Sequence, residues 1–156
     1  MWECTANELQ TINPGETAIF TVSSSGRCNG MIRHRDGTGN FLLKGWTPFM
    51  GCGCCCNRSN SARFLMEFGA NIAVPTGQTV GPISVAITVD GATVPASTMT
   101  VTPAAVEEFN NISRVINVPI WNGCCESVAV RNTSDIPILM QNANIVFSRP
   151  DLNVTY

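Results

Sequence analysis

The sequence lacks the features that would place this chain in a membrane or on a nucleic acid. No apolar run approaches the roughly 20 residues that a membrane-spanning helix needs. The nine Lys and Arg residues are scattered along a chain of net charge −2, so they form no basic stripe that neutralises phosphates. We therefore expect neither a membrane nor a nucleic acid among its partners.

A signal peptide is also missing from the first residues, MWECTANELQ. These residues have neither the basic start nor the apolar core of such a peptide. Either the mature form is shown or export does not use that route. We expect synthesis in the cytoplasm without a signal peptide.

Catalytic signatures are missing as well. His34 is the single histidine, and no serine lies in a nucleophile-elbow motif that would build a charge-relay site with it. Glu107 and Glu108 are adjacent, so they point to different sides of a strand or helix and cannot form a general acid–base pair alone. No glycine-rich phosphate-binding loop is present. We expect a protein that is not an enzyme and has no cofactor, apart from the zinc that its cysteines could bind.

What the sequence does contain is apolar material for one core, in segments of strand character. Its 156 residues are 44% hydrophobic and 13% charged, which suits a single domain over residues 1–156. The clearest period of two is PISVAITV at 82–89, where branched apolar residues alternate with Ser, Ala and Thr. No segment sustains a helical period.

Turn residues divide the rest of the chain into short strands. The run MIRHR-DGTG-NFLLK predicts a β-hairpin, because its two glycines can take positive φ. Residues 93–101 are expected to pair with 82–89, with Pro95 marking an edge or a bulge. Residues 102–110 suit either one helical turn or a strand or loop. Further strands are predicted at 18–23, 64–72, 115–121, 127–131, 136–141 and 144–148.

These segments amount to about eight to ten strands by their pattern. Because two sheets can bury each other's apolar faces, the economical arrangement is an all-β antiparallel sandwich. The predicted fold is therefore a jelly roll.

Residues 45–63 interrupt the strand pattern and carry half of the cysteines. The segment GWTPFMGCGCCCNRSNSAR has no period and is rich in Gly, Pro, Asn and Ser, which predicts an exposed Cys-rich loop or insertion. The eight cysteines of the chain are candidates for disulfides or for a metal site: Cys4, Cys28, Cys52, Cys54, Cys55, Cys56, Cys124 and Cys125.

Disulfides are the favoured interpretation of these cysteines. Cys4 or Cys28 would join the Cys-rich loop to the body of the domain, and Cys124 or Cys125 would fix the loop after Trp121. Each such bridge typically stabilises a protein by about 2–4 kcal/mol. Bridges between subunits are a further possibility, and eight cysteines leave the connectivity open.

Zinc is the alternative for the same cysteines. The spacing C-x-C-C-C lacks the C-x₂-C pairs with which two thiolates grip one metal from a tight turn. A shell of four cysteines could still combine Cys52 and Cys54 or Cys55 with Cys124 and Cys125.

Five residues are candidates for a subunit interface: Arg33, His34, Arg35, Trp46 and Trp121. In a strand His34 faces opposite to both arginines, which predicts a structural or interface histidine. The arginines are expected to line a subunit contact or to pair with acids such as Asp36, Glu67 or Glu107. The tryptophans flank cysteine-bearing turns, where each could pack a disulfide or fill a neighbour's pocket, with core packing as the alternative.

Five segments together resemble small proteins of Firmicutes and their phages. They are RHRDGTGNFLL (33–43), MEFGANI (66–72), GPISVAITVDGATVPASTM (81–99), TPAAVEEFNNIS (102–113) and VPIWNGCCESVAVRNTSDIPILMQNANIVFSR (118–149). More distantly, the order of the DG turn, its VP-containing partner, the SVAVRNTSD turn and the final NANIVFSR strand resembles the tumour-necrosis-factor-like tip of collagen-like spore-surface proteins.

The resemblance implies a jelly roll of ten strands that forms homotrimers, with one sheet face or edge packed around a three-fold axis. It covers about residues 30–149, and this chain departs from the spore-surface proteins by lacking a collagen stretch and by carrying GCGCCC. The expected function is structural: a trimeric phage virion component, such as a capsid decoration or head fibre, with capsid or coat protein as a further partner. The alternatives are a spore-surface layer protein and a soluble module that binds a carbohydrate or a protein. The expected location is a virion or a spore or cell-surface particle.

Overall fold

A computed structural model of the chain describes residues 1–24, 31–45, 61–121 and 125–150. Within these ranges the chain forms no α-helix, and its one short helical turn is a 3-10 turn at Pro95–Ser97. The strands are β1 (Trp2–Ala6), β2 (Gln10–Ile12), β3 (Val22–Ser24), β4 (Ile32–His34), β5 (Phe41–Leu43), β6 (Ser61–Ala73), β7 (Ile83–Val89), β8 (Ala92–Thr93), β9 (Met99–Val101), β10 (Asn110–Trp121), β11 (Glu126–Asn132) and β12 (Ile138–Ser148). Among the described residues, no helix is long and apolar enough to cross a membrane.

The strands form two antiparallel sheets. Sheet A has the order β10-β6-β12-β1-β3, with β2 paired to one end of β12. Sheet B has the order β4-β5-β11-β7-β8, with β9 paired to the other end of β7. Along the long strands one side chain in two is buried, as in β6, where Phe64, Met66 and Phe68 are buried and Arg63 and Glu67 are exposed. This alternation puts the core between the two sheets.

An aromatic cluster fills one end of the core and joins the two sheets. Phe41 of β5 has its ring centroid 5.6 Å from that of Trp2, 5.2 Å from that of Phe20 and 5.1 Å from that of Phe147. Trp2 and Phe147 belong to sheet A, whereas Phe41 belongs to sheet B. Phe41 therefore packs across the interface between the sheets.

Most strands lie where the pattern predicts them. The hairpin of β4 and β5 pairs Ile32 with Leu43 and His34 with Phe41. Strand β7 follows the alternation of 82–89, and the turn after it is made by Asp90 and Gly91, both at positive φ. The strands predicted at 64–72, 115–121 and 127–131 are confirmed as parts of β6, β10 and β11.

Other predictions need correction. The segments 136–141 and 144–148 belong to one strand, β12, because a register shift between Gln141 and Asn144, with Asn142 at φ 51°, bends the strand without ending it. The two N-terminal strands β1 and β2 were not predicted. For residues 102–110, where a helical turn and a strand or loop were both open, the structure has turns and loop over 102–109. Strand β6 already begins at Ser61, so the last residues of the predicted Cys-rich loop belong to a sheet, while 46–60 lie outside the described residues.

The segment predicted as a strand at 18–23 crosses from one sheet to the other. Thr17 forms an isolated bridge with Arg131 of sheet B, and Phe20 forms one with Thr38 in the turn between β4 and β5. From Val22 onward the chain pairs with β1 of sheet A. The predicted strand is thus divided between the sheets, and only its end is regular.

Candidate functional site

The first candidate surface is the outer face of sheet A, formed by the side chains that point away from sheet B. Val115, Glu67, Val146 and Glu3 lie side by side across four strands of this face, as the register requires. Most outward positions of β6, β10 and β12 are occupied by small, uncharged side chains.

Large apolar side chains are exposed on this face. Val115 is 57% exposed, Trp121 at the end of β10 is 63% exposed and Val22 of β3 is 62% exposed. Leu65 and Val146 are half-buried between them. A solvent-exposed face normally places polar residues at such positions, so Val22, Val115 and Trp121 are apolar side chains that the described residues leave uncovered on this face.

The second candidate surface is a cleft of about 460 Å³ on the outer face of sheet B. It lies over the edge of the sheet formed by β4 and β5 and extends to β11. The cleft is lined by Arg33, His34, Arg35, Thr38, Asn40, Leu42 and Ser127.

His34 is one of the residues that line the cleft, and its ring belongs to the aromatic cluster. Its ring stacks on Phe41 at a centroid distance of 4.4 Å and meets the ring of Trp2 edge-on at 5.9 Å. Nδ1 lies 3.1 Å from the carbonyl oxygen of Asn40, and Nε2 lies 3.3 Å from that of Phe20. The tautomer decides which nitrogen donates. The ring therefore fixes the hairpin to the segment before β3, as a structural histidine does.

The two arginines face away from His34 and are exposed. Their expected acidic partners are engaged elsewhere: Asp36 accepts a hydrogen bond from the Ser23 hydroxyl at 3.0 Å, and Glu107 accepts one from Thr76 at 2.9 Å. Within the described part of the chain, neither guanidinium has a hydrogen-bonding or ionic partner. The predicted pairing with Asp36 or Glu107 is therefore not found among the described residues, and the alternative that the arginines line a subunit contact stays a prediction.

Cys4 is a thiol in this structure and forms no disulfide, whereas the prediction of a metal role for it stays a prediction. It is fully buried on the inner face of β1, and the residues opposite it in the neighbouring strands are Ile145 and Ser23. Burial, and to a smaller degree the nearby charge of Asp36, raise the pKa of this thiol from 9.0 to about 11. Cys4 is therefore a core residue.

The raised pKa of Cys4 predicts a loss of stability at alkaline pH. The unfolded chain releases this proton near pH 9, whereas the folded protein holds it to about pH 11, so this contribution is complete below pH 9 and is lost between these values. Urea unfolding of the protein and of Cys4→Ala at pH values across this range measures it. Every other ionisable group is common to the two proteins, so the variant should lose less stability with rising pH. An equal loss in both would contradict the assignment.

The other cysteines bear on the zinc and disulfide predictions only in part. Cys125 is a half-buried thiol just before β11. Among the described residues no three His, Cys, Asp or Glu side chains are grouped as metal ligands. Cys28, Cys52, Cys54, Cys55, Cys56 and Cys124, like Trp46, lie outside the described residues, so the zinc and disulfide predictions for them stay predictions.

Sequence reasoning identified part of each surface. Arg33, His34, Arg35 and Trp121 were singled out as subunit-interface candidates, which stays a prediction, whereas Ser127 and Leu42 of the cleft were not singled out. These two residues lie beside Arg33 only because of the register of β4, β5 and β11. That register cannot be predicted from any local sequence pattern. For the outer face of sheet A, an available signal was Val115, an apolar residue among the polar outward positions of β10.

Comparison with known proteins supports the fold and does not assign a family. No protein-family model matches the chain, and no curated protein matches its sequence. The globular domain of the zebrafish complement 1qA protein matches with a TM-score of 0.50 and 9% identity, over 93% of this chain and 94% of that one. Pika GITRL matches with a TM-score of 0.41 and 11% identity, over 96% and 99% of the two chains.

A third solved structure, the C-terminal domain of the sugar-binding protein EclA, matches with a TM-score of 0.36 and 13% identity, over 79% of this chain and 89% of that one. At the 9% identity of the zebrafish domain, the shared property is the fold. The prediction of an all-β jelly roll is confirmed. The relation to Firmicutes and phage proteins stays a prediction.

Proposed function

We propose that this β-sandwich module is a non-enzymatic structural protein that associates with copies of itself through the outer face of sheet A. In this proposal it forms a homotrimer, and the trimer serves as a surface component of a phage virion, such as a capsid decoration or head fibre. Synthesis in the cytoplasm suits such a protein, because virions assemble there.

The observation that carries the proposal is the set of exposed apolar side chains on one face of sheet A. Val22, Val115 and Trp121 each expose more than half of their area on the same face of sheet A. Burying such side chains is favourable by roughly 25 cal/mol for each Å² removed from water. A second copy of the same chain carries the same exposed apolar side chains. It is also present wherever the protein is made, so it can cover them.

The charges on this face are few enough to allow close packing. Among the described outward positions of its strands, the ionisable side chains are Glu3, Arg63 and Glu67. Arg63 and Glu67 lie on the same strand, four residues apart. Interface cores are depleted in charged residues, and this surface has that character.

Two other functions use the same fold. A spore-surface layer protein would share the proposed self-association and differ in its location, so finding the chain in purified spore coats rather than in purified virions would favour it. A carbohydrate- or protein-binding module is favoured by a different observation, the cleft on sheet B.

Substituting Val115 by lysine is expected to dissociate the trimer. A lysine ammonium at the contact must be removed from water, and a pair with Glu67, its cross-strand neighbour, does not offset that cost, so association weakens by about 100-fold or more. Light scattering coupled to size exclusion at micromolar concentration should give three times the 16.7 kDa chain mass for the protein and one chain mass for the variant.

Val106→Lys is the matched control, because Val106 is a valine 37% exposed in the loop before β10. It should keep the mass of the unsubstituted protein. A monomeric unsubstituted protein, or equal dissociation of both variants, would contradict the proposed contact.

A further inference from the structure

The cleft on sheet B lies on the opposite side of the sandwich from the proposed subunit contact. Arg33, Leu42 and Ser127 form one row across β4, β5 and β11, because Leu42 pairs with both of the others. Neighbouring strands lie about 4.8 Å apart, so the arginine and the serine are about 10 Å apart at their Cα atoms. That separation suits a ligand of sugar size, and the cleft volume of about 460 Å³ lies in the range of small-molecule sites.

The side chains around the cleft offer hydrogen bonds that the protein does not use. Within the described ranges, the guanidinium groups of Arg33 and Arg35, the amide of Asn40 and the hydroxyl of Ser127 have no hydrogen-bonding partner. The amide and hydroxyl can donate and accept, whereas arginine only donates. The site therefore presents two cationic forks beside two neutral groups of the kind that bind hydroxyls.

The electrostatics of the cleft differ from those of the whole chain. The chain carries a net charge of −2, yet the residues that line the cleft include two arginines and no carboxylate. Of the acids close to the lining residues, Asp36 accepts from Ser23, Asp90 accepts from the Ser127 backbone N–H at 2.7 Å, and Glu126 precedes Ser127 in the chain without lining the cleft. An anion in the cleft would meet cations without a competing carboxylate in its lining.

The walls of the cleft are fixed before any ligand arrives. The Thr38 hydroxyl donates to the Arg35 carbonyl at 2.7 Å, and the Gly37 N–H donates to the Phe20 carbonyl at 2.8 Å. The Phe20 N–H donates in turn to the Thr38 carbonyl at 3.1 Å. Because the backbone of this turn is already ordered, the conformational entropy lost on binding comes mainly from the side chains that contact the ligand.

From this arrangement we infer that the cleft binds an acidic saccharide, with its carboxylate on Arg33 and Arg35 and its hydroxyls on Asn40 and Ser127. A planar carboxylate matches the arginine fork. Leu42 lies between Arg33 and Ser127 and is 40% exposed, so it gives the carbons of the sugar ring an apolar contact. A simple inorganic anion would use the arginines but not the leucine or the neutral hydrogen-bonding groups.

The test is titration calorimetry of the purified protein with digalacturonate, its dimethyl ester, sodium sulfate and a tri-glutamate peptide. Digalacturonate should bind, the uncharged ester should bind about tenfold more weakly or worse, and sulfate and peptide should bind more weakly than digalacturonate. Arg33→Gln and Arg35→Gln should each weaken digalacturonate about tenfold. Arg33→Lys should restore only part of the affinity, because lysine is not a planar fork.

Arg114→Gln is the matched control, since it removes one positive charge on the edge strand of the other sheet, where Arg114 donates to the Ala96 carbonyl at 2.8 Å. It should bind digalacturonate like the unsubstituted protein. The inference is overturned if digalacturonate does not bind, if acid and ester bind equally, if sulfate or the peptide binds as tightly, or if Arg114→Gln weakens binding as much as Arg33→Gln. Val115→Lys should leave this binding intact, so the result is independent of the proposed assembly.

Discussion

Replacing Phe41 by alanine should lower the free energy of unfolding by about 3–5 kcal/mol, a large part of the total stability of a domain of this size. Phe41 is fully buried and its ring contacts those of Trp2, Phe20, His34 and Phe147. Removing the ring leaves a cavity between the sheets, and the surrounding rings cannot collapse into it without leaving their own contacts. The same change removes the stacking surface of His34.

Urea-induced unfolding of Phe41→Ala, compared with that of Phe109→Ala, measures this effect. Phe109 is 36% exposed in the segment before β10, so its substitution makes the same chemical change outside the centre of the core. It should cost about 1 kcal/mol or less. Equal destabilisation by the two substitutions would show that the aromatic cluster does not carry the contact between the sheets.

Gly45→Ala is expected to be nearly as damaging, at about 3 kcal/mol or more, through steric conflict instead of a cavity. A Cβ at Gly45 would overlap the carbonyl oxygen of Trp121 and would lie 2.6 Å from its carbonyl carbon and 2.8 Å from the carbonyl oxygen of Ile120. These are backbone atoms, so no side-chain rotation relieves the overlap. Either the end of β5 or the end of β10 must move.

Gly81→Ala is the matched control for Gly45→Ala, because a Cβ at Gly81 would meet no atom within 4 Å. It should leave stability unchanged or raise it by about 0.4–1 kcal/mol, since alanine reduces the freedom of the unfolded chain. Thermal unfolding of both variants measures the difference. If Gly45→Ala proved as stable as Gly81→Ala, the close approach of the two strand ends would be incorrect.

The elements that could be predicted are those whose pattern is local. Strand β7 can be predicted from the alternation of its own residues. The hairpin of β4 and β5 can be predicted from its glycines, and Gly37 does adopt φ 79°. Strand β1 has the same period of two, but its inward residues include Cys4 and Ala6, and short or sulfur-containing side chains are a weak strand signal. Its place is set by pairing with β12, which lies far away in the sequence.

The surfaces could be predicted less well than the strands. The sequence shows Arg33 and Arg35 as a pair, but it does not show whether they contact acids or solvent. That depends in part on Asp36, whose carboxylate accepts a hydrogen bond from Ser23. The exposure of Val115 depends on which face of β10 meets the other sheet. Alternation identifies two faces of a strand, while tertiary packing decides which one is buried.

The place of β12 in sheet A has a consequence for how the domain folds. It is the last of the described strands in chain order, yet it lies in the middle of the sheet, between β6 and β1. Until it inserts, sheet A exists as two separate parts, β10 with β6 and β1 with β3, each with an open edge. Completing sheet A requires Trp2 of β1 to pair with Phe147 of β12, two residues that are far apart in the sequence. Such topologies fold slowly, in about milliseconds to seconds, and the open edges are exposed to other chains during that time.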